Sequence, residues 1–349
     1  IVSKMPLTGQ SRFKHFEPVH NTIVLVHYNN ILEDIMKKLS KLLLCAVLIS
    51  SIFTGCTGNF SSSQNSGRLK IVSTIFPSYD FARAIAGENA DITILLSPGV
   101  ESHSYEPTPQ DMIQIQNCDL FLYAGGESDT WVDDLLSSLE QPINTVKMMD
   151  CVDVYEEEIL EGMQAEDSSH SHEVEYDEHV WTSPQNAILI SRAIEQALCR
   201  INPENTEVYQ KNADSYVSEL ETLDQNFRDF FAGVSHKTMI FGDRFPFRYF
   251  AEEYGLDCFA AFPGCSNETE PSAATIAFLT DKVKSEKIST VFYIEISNHQ
   301  VADSIAEATG AETALFHSCH NVSAQEQKDG ASYLSLMEQN LNTLKEVLR

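Results

Sequence analysis

Three histidines stand in settings that suit metal chemistry. His103 lies within Gly99-Val-Glu-Ser-His-Ser-Tyr-Glu-Pro107, His179 within Asp177-Glu-His-Val-Trp181, and His320 within Phe316-His-Ser-Cys-His-Asn321. Each follows a short apolar run or opens a helix. In an α/β fold all three can therefore meet at the carboxyl edge of parallel strands, where open α/β sheets place ligands. Imidazole with oxygen ligands suits a borderline divalent cation, zinc (Zn2+) before manganese (Mn2+), because manganese sites are richer in oxygen. Glu295, at the end of a strand-like run, is a further candidate. His170 and His172 lie among Glu173, Glu175 and Asp177. Such a tract can capture metal transiently, and a solvated charge run accounts for it equally well. An HExxH helix, a Gly-x-Ser-x-Gly elbow and a phosphate-binding loop are all absent, so a metallohydrolase has little support and a binding protein, not an enzyme, is expected.

Alternating elements must position these groups. Lys70–Phe76, Ile92–Leu96, Leu120–Ala124 and Asn144–Met149 read as strands. Helices are expected from Ser78 to Ala86, from Thr108, and from Thr130 to Leu139. Glu156 to Asp177 is acidic and breaks the pattern as a surface loop. After a helix over Pro184–Arg200, Asn202-Pro203 caps the longest periodic segment. There Tyr209, Ala213, Tyr216, Leu220, Leu223, Phe227 and Phe230 recur at spacings of four and three, one apolar face of a helix running to Phe231. Strands resume at Lys237–Gly242, Cys258–Phe262, Thr290–Ile294 and Thr313–Phe316. Helices alternate with them over Phe247–Tyr254, Ser272–Lys287 and His299–Thr309, and a last one runs from about Gly330 to Leu348. The expectation is an α/β protein of two lobes, each a four-stranded, mostly parallel sheet flanked by helices, joined by one long rigid helix. The lobes would span 69–201 and 234–349, with the connecting helix over 202–233.

The amino-terminal part reads differently. Residues 1–35 are unpatterned and are taken as an upstream extension. Met36-Lys-Lys-Leu-Ser-Lys41 is basic, Leu42–Phe53 is apolar, and Thr54-Gly55-Cys56 closes the run, which makes residues 36–55 a secretory signal. The run falls short of the roughly 20 apolar residues of a membrane span. Phe53-Thr-Gly-Cys56 resembles a lipobox, in which Cys56 would carry lipid, and Ser/Gly/Asn-rich residues 56–68 would be a flexible tether. The expected location is extracytoplasmic, anchored by lipid to the outer face of the cell membrane.

A formal net charge of -28 leaves no basic stripe for phosphates and excludes nucleic acid as a partner. It also concentrates cations near the surface. Beyond Cys45 and Cys56, six cysteines show neither a CxxC pair nor a dense disulfide framework. Cys258 and Cys265 are close enough in sequence to be bridged, and Cys319 lies between His317 and His320.

Leu69 to the end resembles the solute-binding lipoproteins of zinc and manganese ABC importers. The resemblance rests on Ser102-His-Ser-Tyr-Glu-Pro-Thr-Pro-Gln-Asp111 with Asn117-Cys-Asp-Leu120, on Glu178-His-Val-Trp181, and on Tyr333-Leu-Ser-Leu-Met-Glu-Gln-Asn340. It implies that His103 and His179 are the first two ligands of a metal held between the lobes. It also implies delivery by a monomer to a membrane permease with its cytoplasmic ATPase. The family's third histidine, from a His-x-x-Phe segment, is missing from Phe241-Gly-Asp-Arg-Phe-Pro-Phe247, where Asp243 is the nearby group able to bind a cation. Where the family has a carboxylate, this chain has His320, with His317 beside it. The resemblance thus implies a shell of His103, His179, Asp243 and His320. A manganese receptor or a metal-binding adhesin of the same fold are the alternatives, the adhesin with no direct support in the sequence.

Overall fold

The computed structural model describes residues 67–102, 105–163, 175–266 and 270–348. Cys56, the signal segment, His103, His170 and His172 lie outside the described residues. Leu69–Ser73 (β1), Ala90–Ile94 (β2), Leu120–Tyr123 (β3) and Thr145–Lys147 (β4) form one parallel sheet in the order β2-β1-β3-β4. Thr238–Phe245 (β5), Asp257–Pro263 (β6), Thr290–Tyr293 (β7) and Glu312–Leu315 (β8) repeat that order as β6-β5-β7-β8. In each sheet the chain reverses its winding beside the first strand, and a crevice opens at the carboxyl ends there. The inner strands are apolar on both faces because helices cover both; Leu120-Phe-Leu-Tyr123 is buried throughout.

Helices Phe76–Ala86 (α1), Pro109–Gln116 (α2), Thr130–Ser138 (α3) and Pro184–Ile201 (α4) belong to the first lobe. Thr206–Gly233 (α5) links it to Arg248–Tyr254 (α6), Ala273–Glu286 (α7), Gln300–Thr309 (α8), Ala324–Asp329 (α9) and Tyr333–Val347 (α10). With 28 residues, α5 is about 42 Å long. It buries Tyr209, Ala213, Tyr216, Leu220, Leu223 and Phe227, as its periodicity predicts, but Phe231 rather than Phe230 takes the final inward place. Tyr216 packs on Phe81 of α1, with ring centroids 6.1 Å apart. Phe227 packs on Phe250 of α6 at 5.1 Å, and Phe231 on Tyr254 at 5.4 Å. Buried Asp224 adds a polar tie, accepting from the Tyr254 hydroxyl at 2.9 Å and from Gln185 Nε2 of α4 at 2.7 Å. One end of the helix is thus part of the first lobe's core and the other part of the second's.

Several elements differ in their bounds from the sequence reading: β1 ends at Ser73, β2 spans Ala90–Ile94, β4 shrinks to Thr145–Lys147 and α5 starts at Thr206. Helix α1 starts at Phe76, because Pro77 fits a first turn whose N–H groups lack helical partners anyway. Strand β5 runs on to Phe245 through an irregularity between Phe241 and Arg244. The short helix α9 has no counterpart in that reading. It is started by a reciprocal cap between Ser323 and Glu326 and ended by Gly330 at φ 78°, which displaces the start of α10 to Tyr333. The six described cysteines, Cys258 and Cys265 included, are all thiols. Among the described residues no helix is long and apolar enough to cross a membrane.

Candidate metal centre

The carboxyl ends of strands from both sheets converge on a cavity of about 20 Å³, room for one water-sized guest. Glu101 and Ser102 reach it from the loop after β2, Arg244 from β5, Gly264 from the turn after β6, Glu295 from the end of β7, and His320 from the loop after β8. His179 enters from the segment before α4.

His179 is fully buried and opens the turn Val180–Thr182. Asp177 Oδ1 accepts its backbone N–H at 2.8 Å and lies 3.1 Å from Nδ1. That contact puts the ring proton on Nδ1 and the lone pair on Nε2, the form in which a histidine binds metal. Burial pulls its pKa down, but the charge and hydrogen bond of Asp177, with Glu178 and Glu157 behind it, outweigh burial and leave it raised. A Cβ at Gly264 would sit 3.0 Å from Phe245 O and 3.1 Å from His179 Cε1, so a side chain there would press on the imidazole.

His320 stands perpendicular to His179, ring centroids 5.4 Å apart, and 4.9 Å from the Trp181 ring. Its Nδ1 lies 3.2 Å from Ser102 Oγ. The Glu295 carboxylate shapes the loop beneath, accepting from Ser318 N at 2.7 Å, Ser318 Oγ at 2.5 Å and His320 N at 3.2 Å. These bonds hold Cys319 in the left-handed region at φ 61°, a conformation that costs a non-glycine residue on the order of 1–2 kcal/mol. Asn321 ties the same loop to the first lobe, its Nδ2 donating to Ser97 O at 2.8 Å and Val100 O at 2.9 Å. Gly99 N adds a bond to Val322 O at 2.8 Å, and Trp181 Nε1 one to Ser318 O at 2.9 Å.

Of the residues singled out in the sequence, the structure brings His179, His320 and Glu295 to this cavity. His103 follows Ser102 directly in the chain. Asp243 is not brought there. Its carboxylate accepts from Arg244 N at 2.9 Å and Ile294 N at 3.2 Å, joining β5 to β7. Burial raises its pKa despite those bonds. The next residue, Arg244, occupies the cavity wall and donates to Glu101 Oε2 at 2.6 Å across the two lobes. His317 is also turned away. Its Nδ1 accepts from Cys319 N at 2.9 Å, which leaves Nε2–H facing Glu326 at 3.5 Å. Burial opposes protonation of His317, but Glu295 and Glu326 raise its pKa, while His317 drives the Glu326 carboxyl down to about 2. Cys319 is fully buried, its Sγ 3.9 Å from His317 O.

Sequence reasoning placed Asp177 in the acidic tract with His170 and His172, not beside His179, and gave Glu101, Ser102 and Arg244 no part. The signal for Asp177 was available as an acid two residues before a loop histidine. Arg244 offers none, because its place on the wall of this cavity follows only from where β5 ends.

Two lobes of identical sheet order, a helical strut and a histidine-walled, ion-sized cavity between them define a bilobed binding-protein architecture. The chain belongs to the family of the periplasmic zinc-uptake complex component A, ZnuA, whose model matches residues 71–347. It is 33% identical over 308 residues to the high-affinity zinc uptake system protein ZnuA of Bacillus subtilis (strain 168), covering 87% of this chain and 95% of that one. It is 32% identical to the zinc-binding lipoprotein AdcA of Streptococcus pneumoniae (strain R6), covering 89% of this chain but only 61% of AdcA. The chain therefore spans about three fifths of the AdcA relatives' length. The Zn(II)-bound ZnuA-like domain of that AdcA superposes with a TM-score of 0.66 at 31% identity, covering 81% of this chain and 99% of the domain. The laminin-binding protein Lmb of Streptococcus agalactiae, at 24% identity and a TM-score of 0.69, shares the fold.

Proposed function

We propose that this protein captures one zinc ion between its lobes and delivers it to a membrane permease of an ABC importer, working outside the cytoplasm and held to the membrane by lipid on Cys56. The ligands in this reading are His103, His179 and His320, with the Glu295 carboxylate beneath His320 and Asp177 orienting His179. The observation that carries the reading is the meeting of His179 and His320, 141 positions apart in the chain (320 minus 179), at the wall of one ion-sized cavity. Imidazole-rich coordination favours zinc over manganese, and the names of the ZnuA and AdcA relatives agree. Asp243 is assigned a supporting part, fixing the backbone from which Arg244 projects.

The test is zinc titration of the full chain with elemental analysis, beside His103→Ala, His179→Ala and His320→Ala. One zinc per chain is expected in the parent and at least a hundredfold weaker binding in each variant. A variant that binds zinc as tightly as the parent removes that residue from the shell; unchanged binding in both His179→Ala and His320→Ala overturns the reading.

A further inference from the structure

A second group of metal-ligating side chains adjoins the cavity. Glu178 and His179 are buried and Cys265 is half-buried, and each offers one ligand atom such that all three lie within 4.8 Å of one another. They come from both lobes, Glu178 and His179 from the segment before α4 and Cys265 from the turn after β6. Cys265 does not line the His179–His320 cavity. It lines a separate, larger cleft of about 640 Å³. The walls of that cleft carry Glu127, Asp129, Asp133, Glu157 and Glu175 against a single lysine, Lys147.

The fixing of this group is specific. Glu178 accepts from Ser128 N at 3.0 Å and Ser128 Oγ at 2.6 Å. Gly126 makes that approach possible, since a Cβ there would fall 2.3 Å from Glu178 Oε2. On the other side, the Cys265 backbone N–H donates to Glu157 Oε1 at 3.3 Å, bonding the turn after β6 to the first lobe.

We infer that Glu178, His179 and Cys265 form a receiving site for zinc where Cys265 walls this acidic cleft, from which the ion passes to the cavity shared by His179 and His320. The inference rests on the zinc-binding reading above and adds to it a second location and a route. Thiolate, imidazole and carboxylate together suit zinc and discriminate against manganese, magnesium and calcium, which prefer all-oxygen shells. Metal–ligand bonds of about 2.0–2.3 Å put ligand atoms about 3.5 Å apart in a tetrahedral shell, so a group already within 4.8 Å closes by about 1 Å at most on binding. Capture exchanges water on the ion for the thiolate, and the thiol proton leaves to solvent. The carboxylates of the cleft raise the local concentration of any divalent cation; the sulfur then selects among them.

Cobalt(II) in place of zinc tests this, because thiolate coordination adds a sulfur-to-metal charge-transfer band in the near ultraviolet to the visible d–d bands. The full chain carrying His320→Ala, in which the inner cavity is crippled, is expected to show that band with Co2+ and to lose it when Cys265→Ser is added. The band should survive Cys151→Ser. In the same His320→Ala chain, zinc should slow alkylation of Cys265 by iodoacetamide at least tenfold, read by mass spectrometry. Cobalt d–d bands without the sulfur band, or a Cys265 that zinc does not protect, overturn the receiving site and leave the inner one standing. A chain that takes up neither Co2+ nor Zn2+ overturns both.

Discussion

Asp177→Asn tests how the protein tunes its buried imidazole. The substitution keeps the size of the side chain and an oxygen acceptor near His179 N and Nδ1, where the carboxylate now sits at 2.8 Å and 3.1 Å, but removes the charge. Losing a partner that orients and polarises a ligating histidine costs about 10–100-fold in metal affinity. Because asparagine preserves an acceptor, the low end is expected at neutral pH, about tenfold or ~1.4 kcal/mol. Acid should change the comparison in a definite direction. The charge of Asp177 leads the effects that raise the His179 pKa above its ordinary value of 6.5, against burial, which lowers it. In the parent, protons therefore compete with zinc from a comparatively high pH downward. In the variant the leading raising influence is gone and only Glu178 and Glu157 oppose burial, so His179 stays neutral to lower pH than in the parent and competition begins later. The deficit of Asp177→Asn should thus narrow as pH falls. Competition titrations against a chromophoric chelator, at about pH 7.5 and about pH 5.5 on either side of the histidine range, measure both effects. A deficit that is absent at neutral pH, or that widens in acid, refutes this account of His179.

Arg244→Leu should pull stability and affinity apart. It removes the pair with Glu101, in which the two side chains are 14% and 32% exposed, worth about 1 kcal/mol and a few degrees in Tm. It also removes a positive charge from the wall of a cation cavity, so zinc binding should tighten severalfold; calorimetry and chelator competition showing both quantities falling together would contradict this. Asp224→Ala strands the Tyr254 hydroxyl and Gln185 and frees Arg228 at the α5 strut. It should cost about 2–4 kcal/mol, or roughly 5–15 °C in Tm by scanning calorimetry, and a shift of about 1 °C or less argues against a structural tie there. Glu326→Gln should destabilise at neutral pH. The Glu326 carboxyl has its pKa lowered from 4.5 to about 2 in the folded protein, chiefly by His317, so its contribution is present above 4.5 and is lost as pH falls toward 2. Urea denaturation of parent and variant should converge over that interval, and a constant difference would count against the pairing.

The alternation of apolar runs with capped helices exposed both lobes in the sequence, and the four-and-three spacing from Tyr209 to Phe227 exposed the strut. These are local signals, and local signals survive in a linear text. Histidines in loops bordered by apolar runs marked the neighbourhood that His179 and His320 occupy at the cavity, but not which ring turns inward. Asp243 and Arg244 were not distinguishable, because which of two adjacent residues enters a cavity depends on the irregularity of β5 after Phe241, and a one-residue shift moves a side chain to the opposite face of a strand. His317 and His320 differ in the same way. The left-handed Cys319 between them sends one ring to Glu326 and the other to His179, and nothing in His-Ser-Cys-His announces that turn. The acidic cleft escaped notice because its walls are drawn from Glu127 to Cys265, far apart in the chain.

The ribbon from Phe316 to Val322 carries His320, yet it is stitched to the opposite half of the molecule through Asn321, Val322 and Ser318. In the zinc-carrying reading, an ion held there would not be let go by two jaws swinging open, because one jaw's tooth is sewn to the other's gum. Unloading has to unpick those stitches, at about 1 kcal/mol apiece. A docking partner that grips the Ser97–Val100 corner would hold the thread.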